Sequence, residues 1–422
     1  MQVLPPISGI SSAEQSIELL KDLLAIPGPS GQEGRVIEYL KCVLHSLGIP
    51  ESAMVVDDAN KSSPFGGEVG NLIVDLPGDL RLPRRLFVAH CDTVPLCVGS
   101  QPVRDGRYIV SANPATGLGA DNRTGVAVLL NLAVDLLRTK GKHPPITLFW
   151  TVQEEVGMQG VRFVNTQHLR NPKLAFNFDG GRAGKLTVGA TGCYRMTMKF
   201  TGKAVHAALR PEEGINAITA AAMAVHAIHA AGMLGRIGSG NEAVTTNIGV
   251  VEGGNAVNVV PDRVIVRAEV RGHDPVARQH ILNHFCQTAQ DAVCLIRNAT
   301  GEPATVHIDS HLDYEAFRLD ANEPCIIAAE DAIRATGLVP IRAITGGGID
   351  ANWMYANGIP VVSLGAGQVD GHTFTERVDL AEFEAALHIA NYLAVSENVS
   401  NCCEVGNNLY RERRHERHDD AD

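Results

Sequence analysis

The chain has 422 residues, room for two or three domains at roughly 150 residues each and for a sizeable core. Its 45% hydrophobic and 20% charged residues exclude a disordered or fibrous chain, and 42 Gly with 21 Pro point to the many tight turns of an α/β protein. Lys and Arg number 36 against 47 Asp and Glu, a formal charge of −11 that argues against a nucleic-acid-binding surface.

Met1–Ile10 lacks the basic segment and apolar run that export requires, and Ser11–Leu24 has the spacing of an amphipathic helix. Nine cysteines, an odd count in no paired CxxC spacing, read as the reduced thiols of a cytoplasmic protein. Leu72–Leu76, Arg85–Ala89, Ile146–Val152 and Leu174–Phe178 are short apolar runs bounded by turn signals, as buried strands are. Val126–Leu137 has helical spacing and is entered through Asp121-Asn122-Arg123-Thr124. Strand and helix alternating in this way predict a mostly parallel sheet covered by helices.

From about Gly192 the texture changes. Tyr194–Phe200 and Val264–Val270 alternate as strands with one solvated face, and Asn216–Leu234 and Pro275–Ile296 are helical, which describes a small α+β insert. Ile218–Leu234, the least polar stretch, falls short of the roughly 20 apolar residues that span a bilayer and reads as a packed helix, with no role in a membrane. Doubly wound texture resumes near Glu323 with a helix to about Thr336, Gly346-Gly347-Gly348, a helix from Ala351 and the strand Val361–Leu364. The expected partition is a catalytic domain over 1–190 and 316–400, interrupted by an inserted domain over 191–315 and followed by a disordered tail over 401–422.

In an open α/β sheet, ligand-binding groups collect at the carboxyl ends of the strands. Here the predicted strands run straight into metal-competent side chains: His90-Cys91-Asp92, Glu154-Glu155 and Asp179, and His372 beyond the glycine-rich Gly365–Gly371. Asp121 stands at the start of a helix. A ligating imidazole needs its second nitrogen held by an acceptor, which Asp92 could supply to His90. Adjacent Glu154 and Glu155 would repel unless a cation or proton occupies the site, so one could bind metal while the other acts as general base on a metal-bound water. Two His and three carboxylates, one of them shared, suit a pair of divalent ions, zinc first and cobalt or manganese as alternatives. Cys91 faces the other way by strand alternation and reads as packing. Taken singly, each motif also fits a bland reading: a strand-end His, a solvated acidic turn.

Six segments in one order carry a family resemblance: Ala89-His90-Cys91-Asp92-Thr93-Val94, Gly119-Ala120-Asp121-Asn122, Glu154-Glu155-Val156-Gly157, Asp179-Gly180, Gly202–Ala207 and Gly371-His372-Thr373. Over about Ile17–Val395 the chain resembles the co-catalytic dizinc exopeptidases that include peptidase T, the glutamate carboxypeptidases and the aminoacylase branch. Asp350-Ala351-Asn352, Gly358-Ile359-Pro360 and Leu364–Gly367 resemble the peptidase T branch, whereas Thr345–Asp350 departs from its usual glycine run.

The resemblance implies a three-layer α/β/α catalytic domain with an inserted lid that also forms a homodimer. It implies His90 and Asp179 on one metal, Glu155 and His372 on the other, Asp121 bridging, Glu154 as base and Asp92 supporting His90. A cis peptide after Asp121 is also expected. His206 of the lid is expected to stabilise the tetrahedral oxyanion, in its own or the partner's site. Asn258 and Arg271 are candidate binders of the peptide carboxylate, with a lid salt bridge as the alternative for Arg271. The expected activity is hydrolysis of short peptides. A deacylase or carboxypeptidase on the same scaffold and a catalytically silent metal-binding protein are the rivals, the retained Glu154 arguing against the last. No serine nucleophile elbow, dinucleotide fingerprint or P-loop is present.

Overall fold

The computed structural model describes residues 13–138, 143–240 and 243–396, so the tail expected to be disordered lies outside the described residues. The described residues fall into two compact units, one lying within 13–189, 318–344 and 349–396 and the other within 190–317 and 345–348.

The larger unit is built on a nine-stranded sheet. At its centre Ile146–Thr151, Arg85–His90, Leu174–Phe178 and Val362–Leu364 lie side by side and parallel. All four are buried along their length, which is why they read as continuous apolar runs with no alternation. Antiparallel strands flank this centre, Leu72–Leu76 on one side and Lys185–Ala190 on the other. The helix Ala120–Arg138, with Val126, Leu129, Leu130 and Ala133 buried, packs on two central strands, and the C-terminal helix Leu380–Val395 packs against it and against Pro324–Ala335. In this unit the bounds of the expected strands agree with the sequence expectation to within a residue.

A second, four-stranded sheet in this unit goes beyond the sequence expectation. It joins Gln368–Val369, Arg377–Asp379, Tyr108–Ser111 and Pro102–Asp105 in that order. Each strand is too short to show a period in the sequence. Its consequence is positional, since it sets the 370–376 loop beside the segment that leads from Ser111 to Asp121.

The smaller unit is a five-stranded antiparallel sheet ordered Gly235–Ile237, Val244–Gly253, Arg263–Gly272, Gly192–Thr201, Thr305–Tyr314. Met196, Met198, Phe200, Val264, Val266 and Val270 point to one face, where Ala220, Ala224, Ile228, Leu282 and Phe285 of two helices close a single core. Those helices, Ala217–Ala230 and Pro275–Val293, start at the side-chain caps of Asn216 and Asp274. The first stops four residues before the Leu234 expected, because Gly232 turns the chain at φ +71° and a strand follows. Among the described residues no helix is long and apolar enough to cross a membrane.

Candidate metal centre

The expected ligands of the larger unit converge at the carboxyl ends of its parallel strands. His90 ends one strand and is buried, with Nε2 3.2 Å from Asp121 Oδ1. Its Nδ1 faces Asp92, 3.2 Å from the main-chain oxygen and 3.4 Å from Oδ1. Asp121 stands between two imidazoles, its Oδ2 lying 3.6 Å from His372 Nε2. His372 Nε2 in turn is 2.8 Å from Glu155 Oε1. One ligand atom from each of His90, Asp121 and Glu155 lies within 4.8 Å of the other two. Asp179 and His372 stand outside that group of three. Asp179 continues the Leu174–Phe178 strand, its amide donating to Leu364 O at 2.9 Å. The Asp121–Asn122 peptide is cis.

Asp92 is wholly buried and does more than face His90. Its Oδ1 accepts the Glu154 amide at 2.9 Å, and its Oδ2 accepts the Glu155 amide at 3.1 Å and the Ser30 hydroxyl at 2.6 Å. One carboxylate therefore holds both the imidazole and the turn that carries the two glutamates. The turn is fixed from its other side as well. Gln153 has φ +57°, and its amide donates to Glu33 Oε1 at 3.0 Å. Its side chain accepts from Ser63 Oγ at 2.6 Å and donates to Gly66 O at 2.6 Å.

So many acids in one buried place disturb one another. Burial lifts the Glu154 carboxyl well above its ordinary range, with Asp350, Asp179 and Glu155 adding to the rise and His90 opposing it. Asp179 is pushed up to about 7 by burial and then by Asp121, and Asp350 to about 6 by burial. Burial would lower His90, but Asp121 and Asp92 hold it well above its ordinary value, and Glu155 raises His372 to about 9. Asp350 takes the Thr151 hydroxyl on Oδ2 at 2.5 Å, while its buried Oδ1 has no hydrogen-bond partner. A buried excess of negative charge with imidazole nitrogens among it is what a divalent cation relieves, and a mixed nitrogen and oxygen donor set suits zinc, cobalt or manganese. The neighbouring thiol of Cys91 is buried and held protonated by that burial.

The remaining expected residues belong to the smaller unit. His206 and Asn258 are exposed on neighbouring segments, His206 opposite Val259 in an isolated antiparallel bridge and the Ala207 amide donating to Asn258 O at 3.0 Å. His206 Nδ1 accepts the Ala208 amide at 3.2 Å. Arg271 is half-buried and forks onto Glu269 at 2.8 and 3.0 Å, with Nη1 donating to the Tyr314 hydroxyl at 3.0 Å. Sequence reasoning missed Ser30, Glu33, Gln153 and Asp350. Asp350 alone carried a signal, within the segment that resembles the peptidase T branch.

The profile of Peptidase family M20/M25/M40 matches residues 86–395. A tripeptidase from Staphylococcus aureus Mu50 superposes with a TM-score of 0.80 at 27% identity, covering 93% of this chain and 100% of that one. Aminopeptidase PepT from Bacillus cereus ATCC 10987 superposes at 0.75 with 27% identity and the same coverage. Carboxypeptidase G2 from Pseudomonas sp. strain RS-16 is 27% identical over 363 residues, which are 83% of this chain and 81% of that protein. With the profile spanning most of the chain and the expected ligands gathered at the carboxyl ends of the parallel strands, the chain belongs to peptidase family M20/M25/M40 and is a metallohydrolase of that family.

Proposed function

We propose that this protein is a dinuclear-metal exopeptidase that hydrolyses short peptides, an aminopeptidase of the peptidase T type. The observation that carries the proposal is the convergence of His90, Asp121, Glu155 and His372 beside a half-buried Glu154. His90 and Asp179 would hold one ion, Glu155 and His372 the other, and Asp121 both. Zinc is the ion proposed, cobalt or manganese the alternatives. When bound, the ions lower the pKa of the attacking water and polarise the scissile carbonyl.

Glu154 is the base. Its carboxylate would accept a proton from the attacking water and then deliver that proton to the departing amine as the C–N bond breaks. Asp92 orients His90 and fixes the main chain of Glu154 and Glu155. His206 is proposed to meet the oxyanion: its Nδ1 accepts a backbone N–H, which assigns the proton of the neutral ring to Nε2 as a donor. Asn258 and Arg271 are proposed for the substrate carboxylate. The fork to Glu269 and the bond to Tyr314 leave Arg271 one N–H on each Nη to offer.

The inserted unit is also proposed to pair with a second copy. In support, residues of the Val244–Gly253 strand beyond Thr246 have no outer partner strand among the described residues, and Ile218 and Val251 nearby are exposed. Seven described cysteines, all free, agree with a cytoplasmic location.

A deacylase or carboxypeptidase would use the same metal ligands, and the similarity to carboxypeptidase G2 keeps that second reading in view. Di- and tripeptides, N-acyl amino acids and C-terminally blocked peptides, assayed with zinc, cobalt or manganese after chelation, separate the readings. Cleavage of free-amino tripeptides is expected, and hydrolysis of N-acyl amino acids alone would overturn the peptidase proposal.

A further inference from the structure

Glu376 is 2% exposed, four residues beyond His372 on the loop between the strands Gln368–Val369 and Arg377–Asp379. Its carboxylate reaches across to the segment that ends in Asp121. Oε2 accepts the amides of Leu118 at 2.9 Å and Gly119 at 2.6 Å, and Oε1 accepts the amide of Asp121 at 3.0 Å. The Cys97 thiol donates to the same Oε2 at 3.5 Å. The approach is close enough that a Cβ on Gly117 would lie 3.2 Å from Oε2 and 3.1 Å from Thr373 O, and Gly119 turns at φ +83° to present its N–H.

Among the described residues this carboxylate forms no ion pair: its hydrogen-bond partners are three backbone N–H groups and a thiol. A buried carboxylate held in that way is an anchor, because charge-assisted bonds to backbone N–H groups are short and directional. One end of the anchor is the amide of Asp121, whose side chain stands between His90 and His372. The other end is the loop of His372. The two segments are more than 250 residues apart in sequence, and pairing of Tyr108–Ser111 with Arg377–Asp379 brings them together.

We infer that Glu376 is a positioning residue that sets the distance between Asp121 and His372 and so determines how tightly the pair of metal ions is held. The inference rests on the metal centre proposed above. It concerns metal affinity and turnover, not substrate binding, since the hydrogen bonds of the Glu376 carboxylate among the described residues go to the segment that ends in Asp121 and to the buried Cys97 thiol.

Glu376→Gln is the discriminating variant. With its oxygen in the place of Oε2 it keeps the Leu118 and Gly119 bonds but turns an NH2 towards the Asp121 amide, so only the tie to Asp121 is broken. Chelator-stripped protein is titrated with zinc by calorimetry against a competing chelator, with thermal unfolding of the metal-free form and kcat and KM on a tripeptide measured alongside. Wild type should bind two ions. Glu376→Gln should lose about 10- to 100-fold in the affinity of at least one ion and a comparable factor in kcat, with KM within about threefold. Glu376→Asp, which keeps both oxygens on a shorter arm, should recover part of the loss, and it reads the same quantities should Glu376→Gln not fold. Cys97→Ser, which leaves all three amides in place, should stay within about twofold throughout.

A Glu376→Gln protein with wild-type metal affinity and kcat overturns the inference, as does one whose metal-free form melts lower while its affinity is unchanged. A wild type that binds no pair of ions instead overturns the metal centre itself.

Discussion

Replacing Asp92 with asparagine tests the centre at the residue on which most of it hangs. The carboxylate takes His90 Nδ1 and the Glu154 amide on Oδ1, and the Glu155 amide and Ser30 hydroxyl on Oδ2. The amide that replaces it can accept on one side only. If its NH2 faces His90, Nδ1 must become the acceptor and the ring proton moves to Nε2, the nitrogen that faces Asp121 and would ligate. If its NH2 faces Ser30, the hydroxyl can rotate and accept, and the Glu155 amide alone is left buried without a partner. The second arrangement costs least, about 1–3 kcal/mol for one orphaned donor, equivalent to roughly 5- to 150-fold in rate if it falls on the transition state. Loss of the negative charge beside His90 weakens the imidazole as a ligand in either arrangement. Steady-state kinetics on a tripeptide should therefore show kcat reduced by about 10- to 100-fold with KM altered less than about threefold, and urea unfolding should show lower stability. A variant with wild-type kcat and wild-type stability would refute the claim that this carboxylate holds the imidazole and the turn together.

Glu154→Ala should abolish hydrolysis while leaving metal content intact, read by elemental analysis beside the assay; surviving activity would show that another group is the base. Glu33 offers a pH test. Burial, then Asp92, raises its carboxyl from an ordinary 4.5 to about 7, and its Oε2 has no partner. The folded state thus holds the proton more tightly than the unfolded one, so this group's stabilisation is fully present below about pH 4.5 and is lost as pH rises to about 7. The loss amounts to roughly 3 kcal/mol. Glu33→Gln keeps the acceptor for the amides of Gly31 and Gln153 and removes the titration. Urea unfolding should find the variant gaining on wild type between about pH 5 and about pH 8, and a difference that does not change with pH would refute the assignment.

The features legible in the sequence are those written locally. A buried parallel strand needs an unbroken apolar run, and a ligand at its carboxyl end follows that run at once, so Arg85–Ala89 before His90 and Leu174–Phe178 before Asp179 could be read directly. The alternation of Tyr194–Phe200 likewise announced a sheet with one wet face, because its period of two is set by the pleat. Val244–Gly253 and Thr305–Tyr314 in the same sheet went unread, their alternation broken by a bulge in each and by solvent on much of both faces.

Tertiary structure alone decided what holds the ligands in place. Asp92 meets the Glu154 amide 62 residues away, Glu33 meets Gln153 across 120, Thr151 meets Asp350 across 199 and Glu376 meets Asp121 across 255. Each of these is an acidic side chain bonded to a backbone amide or a hydroxyl. A backbone amide is the same at every position, so no residue type or spacing in the sequence marks the partner. The identity of the metal-competent side chains belongs to the sequence by itself; their separation and orientation belong to the fold, because only the closed sheets bring those amides within reach of the carboxylates.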